Sequence, residues 1–243
     1  MKNGIYNRDL DKNKANIEPL SPISFLKRAA ETYPRRTAVV YGDLKYSYNE
    51  FYERCRLLAS ALWKIDIKQG DTVAVLAPNI PAHLETHYAV PMIGAVLNSI
   101  NTRLDPENIA FILNHGEAKV LIVDSEFSHI AKDALKKVKN KIKIIEIEDS
   151  EIQTKEYLSE VKYESFLKTG NIDFYLEGIT DEWQAIALSY TSGTTGNPKG
   201  VVTHHRGAYL NAIGNMMAWG MTPFPVYLWT LPMFHCNGWC FPW

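Results

Sequence analysis

Apolar and polar positions along the chain alternate between two periods. TAVVY (37–41) is a short β-branched run and predicts a strand. YNEFYERCRLLASALWKI (48–65) repeats Phe51, Cys55, Leu58 and Leu62 at helical spacing and predicts a helix. A Gly70–Asp71 turn follows, then TVAVLAP (72–78), a buried strand. Residues 81–96 predict a helix with Pro81 in its first turn and a kink at Pro91. Residues 105–116 predict another, with Asp105 as cap, Pro106 in the first position and Gly116 closing it. KVLIVD (119–124) reads as a strand, 128–140 as a helix and IKIIEIE (142–148) as a strand. Residues 149–181 are polar, acidic and weakly periodic, and are expected to cross between two parts of the fold. WQAIALSY (183–190) predicts a strand, 203–219 a helix and VYLWTLP (226–232) a further strand. This alternation argues for an α/β fold with parallel sheets covered by helices. No internal repeat or low-complexity segment is visible.

Composition narrows the class. A chain of 243 residues can bury one large core or two modest ones. At 46% hydrophobic and 22% charged it has the balance of a globular protein. A formal net charge of −1 argues against a nucleic-acid or polybasic membrane surface. The Lys-rich stretch 132–143 reads as a solvated helix face. The longest apolar run, 88–100, is too short to span a membrane and is broken by proline and polar residues. Residues 1–18 lack the apolar region of a secretory signal and are expected to form a disordered tail. The three cysteines, Cys55, Cys236 and Cys240, are few and odd in number, which points to a reducing, cytoplasmic setting. A peroxisomal address beyond the residues in hand is compatible with this.

The candidate chemistry sits in SYTSGTTGNPKGVV (189–202), between a predicted strand and a predicted helix. Ligands of open α/β sheets bind beyond the carboxyl ends of strands. Gly193, Gly196 and Gly200 permit positive φ and close backbone approach. Thr191, Ser192, Thr194 and Thr195 supply hydroxyls, and Lys199 a cation on a flexible stem. Together these suit a polyphosphate. The run is not a Walker A loop: Pro198 stands four residues after a glycine's successor where glycine is required, and Lys199 precedes Gly200. The plain alternative is a connecting loop of turn-forming residues. His235, Cys236 and Cys240, with His204 and His205, raise a zinc reading, but the C-x-x-x-C spacing is loose and no second Cys/His pair follows. His204–His205 opens a helix and reads as cap or surface.

The TSGTTGNPKG run resembles the phosphate loop of the adenylate-forming (AMP-binding) superfamily, which includes the acyl-CoA synthetases. NSINTRLD (98–105), EAKVLIVD (117–124) and LPMFHCNGW (231–239) extend the resemblance to the short- and medium-chain fatty-acyl-CoA ligases. It implies an ATP-dependent carboxylate–CoA ligase acting on a short- or medium-chain fatty acid, with an aromatic or sulfur-containing acid as the alternative, and with ATP, Mg2+ and CoA required. By the same resemblance, Thr191, Ser192, Gly193, Thr194, Thr195, Gly196 and Lys199 hold ATP phosphates, and Thr191 also matches a threonine that ligands Mg2+. His235 matches a position on the carboxylate side of the acyl pocket, and Trp239 matches a tryptophan that gates the acyl tunnel. A tryptophan there also suits plain pocket lining or core.

Family members are roughly twice this length, so the resemblance implies that 19–243 is the incomplete front of a large N-terminal domain. The small C-terminal domain, with its adenylation lysine, is then absent, and activity of this chain alone is not expected. Two other readings stay open: an adenylating enzyme with a non-CoA acceptor, and a non-catalytic nucleotide-binding protein.

Overall fold

In the computed structural model, residues 4–149, 152, 157–175, 178–191, 198–239 and 241–243 are described, without the side chains of Asn7, Asn237 and Trp239. A six-stranded sheet organises them, in the order β6-β5-β3-β4-β7-β8. Its strands are β3 (Thr72–Leu76), β4 (Val96–Ser99), β5 (Ala118–Asp124), β6 (Lys143–Ile147), β7 (Ala185–Tyr190) and β8 (Gly200–His204). All neighbours run parallel except β7 and β8, which are antiparallel. A small antiparallel hairpin, β1 (Thr37–Tyr41) with β2 (Leu44–Ser47), stands apart from it.

β3 is buried at every position, as expected of a central strand covered on both faces. One face packs on α1 (Ile23–Thr32), α2 (Tyr48–Lys64) and α3 (Pro81–Met92), where Cys55, Leu58 and Leu62 of α2 are fully buried. The other face packs on α4 (Pro106–His115) and α5 (Ser128–Leu135) through Ile109, Ile112, Leu113 and Ala131. Each buried leucine or isoleucine here contributes about 1.5–3 kcal/mol by leaving water.

Local chemistry sets the helix ends. Ser47 and Glu50 form a reciprocal capping box that starts α2. Asp105 accepts the Asn108 N–H at 2.9 Å and Pro106 fills the first turn of α4, as the sequence predicts. The helix predicted over 81–96 ends earlier. Gly94, at φ +71°, donates to Pro91 O while Ala95 donates to Val90 O, a Schellman closure. Pro91 therefore lies in the last turn of α3, and the apolar run beyond it becomes β4.

Three further expectations are corrected. Residues 203 and 204, expected to open a helix, instead end β8 (Gly200–His204), so the 191–199 loop joins two antiparallel strands. The helix α7 (His205–Ala218) begins after it, capped by His204 accepting from the Gly207 N–H. Residues 226–232 are not a strand. No ladder partner reaches them among the described residues, and Val226 is 100% exposed. The helix over 128–140 stops at Leu135.

The 149–181 stretch leaves β6 at one edge and reaches β7 on the far side of β4. It contains the short helix α6 (Tyr163–Leu167) and lies along α2, where Asn171 donates to Ser60 Oγ and Arg56 to Phe174 O. Residues 8–18 are exposed. Among the described residues no helix is long and apolar enough to cross a membrane.

Candidate nucleotide and acyl site

The two ends of the glycine-hydroxyl-lysine run meet where β7 finishes. Thr191 N–H donates to Lys199 O at 3.1 Å, and Lys199 N–H donates to Thr191 Oγ1 at 3.1 Å. Both residues are exposed. Tyr190, just before the loop, bonds His115 Nδ1 through its hydroxyl at 2.8 Å and so ties the end of β7 to the end of α4. Gly200 opens β8 without a positive φ. A Cβ there would stand 3.1 Å from Leu188 Cδ1, so close approach, and not left-handed backbone, is what its glycine serves. Ser192, Gly193, Thr194, Thr195 and Gly196 lie outside the described residues.

The second predicted group lies on the segment 231–239. Asn79, just past the carboxyl end of β3, donates from Nδ2 to Leu231 O and accepts at Oδ1 from Met233 N–H, both at 2.8 Å. The Trp229 indole also donates to Leu231 O. His235 is exposed. Its N–H donates to Pro232 O at 3.1 Å, and its carbonyl accepts from Gly238 N–H at 2.9 Å. The short helix α8 (Cys236–Trp239) follows. The Trp239 side chain and Cys240 lie outside the described residues. Thr191 and Lys199 are thus brought into direct contact, whereas His235 stands on a separate segment anchored two strands away, at the same carboxyl edge of the sheet.

Beneath Asn79, the polar groups of α3 are buried. His83 bonds Pro78 O through Nδ1 at 3.0 Å and Ser99 Oγ through Nε2 at 3.1 Å. Burial pulls its pKa down to about 4 and that of His87 down to about 3, so both rings are neutral near pH 7. Trp243 donates to His87 O at 2.9 Å and brings the end of the chain against α3. Among the described residues, no group of three or more histidine, cysteine, aspartate or glutamate side chains is placed to hold a metal ion. His204 caps α7, His205 is buried on Ser21 Oγ at 2.9 Å, and Cys236 Sγ lies 3.7 Å from His235 Nδ1.

An apolar cavity of about 420 Å³ lies against residues 241–243, lined by Phe51, Tyr88, Met216, Tyr227, Trp229 and Trp243 among others. Aromatic stacking of Tyr227 on Phe241, with centroids 5.0 Å apart, forms one wall. A larger cleft of about 880 Å³ opens between the 65–72 turn, His115–Lys119 and residues 140–143. It faces the amino ends of the strands, the wrong end for a ligand of a parallel sheet, so volume does not mark the site here. Asn79 and Tyr190 were not singled out from sequence. An asparagine between two prolines, P-N-I-P, reads only as a turn.

A family model described as AMP-binding enzyme matches residues 26–243. The chain is 49% identical to a peroxisomal acetate/butyrate–CoA ligase of Arabidopsis thaliana, over 97% of this chain and 43% of that protein. It is 47% identical to an acetate–CoA ligase of Humulus lupulus, over 99% of this chain and 45% of that protein. The crystal structure of a long-chain-fatty-acid–CoA ligase from Archaeoglobus fulgidus superposes with a TM-score of 0.79 at 24% identity, covering 93% of this chain and 45% of that one. The fold is shared with that structure, and the chain spans less than half the length of the curated relatives it matches. On the matched sequence and the sheet that carries it, the chain belongs to the AMP-binding enzyme family.

Proposed function

We propose that the protein is an ATP-dependent carboxylate–CoA ligase acting on a short-chain acid. The observation that carries this is the Thr191–Lys199 closure at the carboxyl end of β7. It presents the ends of a hydroxyl- and glycine-rich run, with its lysine, at the ligand end of the sheet. In the first half-reaction a carboxylate oxygen attacks the α-phosphorus of ATP and pyrophosphate leaves. In the second, the CoA thiol attacks the acyl carbonyl and AMP leaves. The first step asks the protein chiefly to position groups and neutralise charge. Lys199 with Ser192, Gly193, Thr194, Thr195 and Gly196 would hold the phosphates. The Thr191 hydroxyl gives one lone pair to the Lys199 N–H and has a second, a hard oxygen donor of the kind Mg2+ takes. His235 and Trp239 would border the acyl group.

The relatives named for acetate and butyrate support a small acyl group, and the peroxisomal names among them support the same compartment for this protein. The test is product analysis with the longest native form of the protein: Mg2+, ATP, CoA and acetate or butyrate should give acyl-CoA, AMP and pyrophosphate in equal amounts. Adenylate formation that never passes to CoA would favour another acceptor. ATP binding with no carboxylate-dependent product would leave a nucleotide-binding protein.

A further inference from the structure

The geometry points to Asn79 as a positioning residue: its carboxamide clamps the Leu231–Met233 segment to the carboxyl end of β3 and thereby sets where His235 stands. The link to the acyl group rests on the ligase reading above; the clamp itself does not.

Both halves of the Asn79 amide are used, donating to Leu231 O and accepting from Met233 N–H, each at 2.8 Å. These are the two bonds that one residue of a parallel strand makes to alternate residues of its neighbour. A single side chain thus supplies what a ladder partner would, to a segment that has none among the described residues. The requirement for one donor and one acceptor on a short planar group selects asparagine: aspartate only accepts at neutral pH, and alanine does neither. Glutamine would carry the same groups one methylene too far.

The clamp has a rigid base. Pro78 O accepts from Ile80 N–H at 3.0 Å and from His83 Nδ1. A carbonyl only accepts, so His83 is protonated at Nδ1, and its Nε2 accepts from the Ser99 hydroxyl at the end of β4. His83 is fully buried and Ser99 nearly so. One hydrogen-bonded path therefore runs from β4 through α3 and the end of β3 to Asn79. From there it passes to Met233, two residues before His235. The turn beyond is built on Pro232 O and His235 O, so its position follows that of the clamped residues.

Hydrogen–deuterium exchange and initial-rate kinetics on the longest native form test this with Asn79→Ala and Asn79→Asp. The aspartate variant keeps the side-chain shape should the alanine variant fail to fold. In Asn79→Ala, exchange across 231–235 is expected to quicken about tenfold, as losing a net bond of about 1–1.5 kcal/mol implies, while peptides of β3 and β4 stay unchanged. Asn79→Asp should fall between, since it keeps the Met233 bond and sets an oxygen against Leu231 O. KM for the carboxylate should rise about tenfold with KM for ATP within about twofold. Unchanged exchange at 231–235 in both variants would overturn the clamp. So would parallel loss of protection in β3 and β4 with both KM values raised, the sign of a merely structural role. If the wild-type protein forms no carboxylate-dependent product, the ligase reading fails, and the exchange arm still decides the clamp.

Discussion

Thr191 and Lys199 hold each other twice: the Thr191 N–H donates to the Lys199 carbonyl, and the Lys199 N–H donates back to Thr191 Oγ1, each at 3.1 Å. Eight positions apart in sequence, they close the base of the loop as a β-hairpin closes. The lysine is thereby fixed at its backbone while its stem stays exposed.

That arrangement predicts a substrate-selective defect. Lys199→Ala in the native protein should raise KM for ATP, or lower kcat, by about 10–100-fold, since a charge-assisted bond to phosphate contributes about 1.5–3 kcal/mol. KM for the carboxylate should move far less, and the unfolding midpoint should not move, because the side chain is on the surface. Steady-state kinetics with each substrate varied in turn checks this. Unchanged ATP kinetics would mean the loop does not serve the nucleotide.

A buried ion pair fixes the 149–181 stretch to the core. Glu85 is fully buried. Its Oε1 accepts from Arg54 Nε at 2.6 Å and its Oε2 from the Tyr163 hydroxyl at 2.6 Å. Arg54 also reaches Glu164, but that carboxylate is 59% exposed and contributes little. Arg54→Ala strands a buried carboxylate and is expected to cost about 3–5 kcal/mol. Glu85→Gln removes the charge itself and should cost less, about 1–2 kcal/mol. Urea unfolding of both variants measures the difference. Equal losses would show that the charge is not what the arginine compensates.

Asp124, at the carboxyl end of β5, gives a pH signature. Its Oδ1 accepts from Glu126 N–H, but its buried Oδ2 has no partner among the described residues. Burial, reinforced by Asp149, Glu126 and Glu146, pushes its pKa up to about 6. A carboxyl raised above its unfolded value favours the fold while protonated. Its contribution is full below the ordinary carboxylate pKa and is lost as pH rises through about 6. Asp124→Asn should therefore be more stable than wild type at pH 7.5, by about 1–2 kcal/mol. The gap should narrow toward pH 4. Other carboxylates, Glu182 and Asp105 among them, are lowered by hydrogen bonds and pull the wild-type profile the opposite way, so the difference between the two proteins is the informative quantity. A gap that does not change with pH would contradict the assignment.

What the sequence revealed and concealed follows physical lines. β3, β5, β6, β7, α2 and α4 were readable because each carries an unbroken period and, for α4, an explicit Asp105–Pro106 start. β4 was hidden because YAVPMIGAVL is apolar throughout, and a continuous apolar run fits helix and strand equally. The signal was present in Gly94, whose positive φ ends α3. β8 merged with the helix after it because GVVTHH offers no turn residue between them. The 226–232 run has the residues of a strand, yet strand propensity is a preference for packed, paired surroundings, and Val226 has neither. The 189–202 run stood out as a dense local motif, although residues 192–197 lie outside the described residues. Asn79 was not, because its partner Leu231 lies 152 positions downstream and neither residue is unusual alone.

The central claim is carboxylate activation at the Thr191–Lys199 loop, and ATP–pyrophosphate exchange with the longest native form tests it most directly. With Mg2+ and acetate or butyrate present and CoA omitted, labelled pyrophosphate should enter ATP, and removing the carboxylate should stop it. Exchange that ignores the carboxylate, or none with any acid while ATP still binds, would contradict the account.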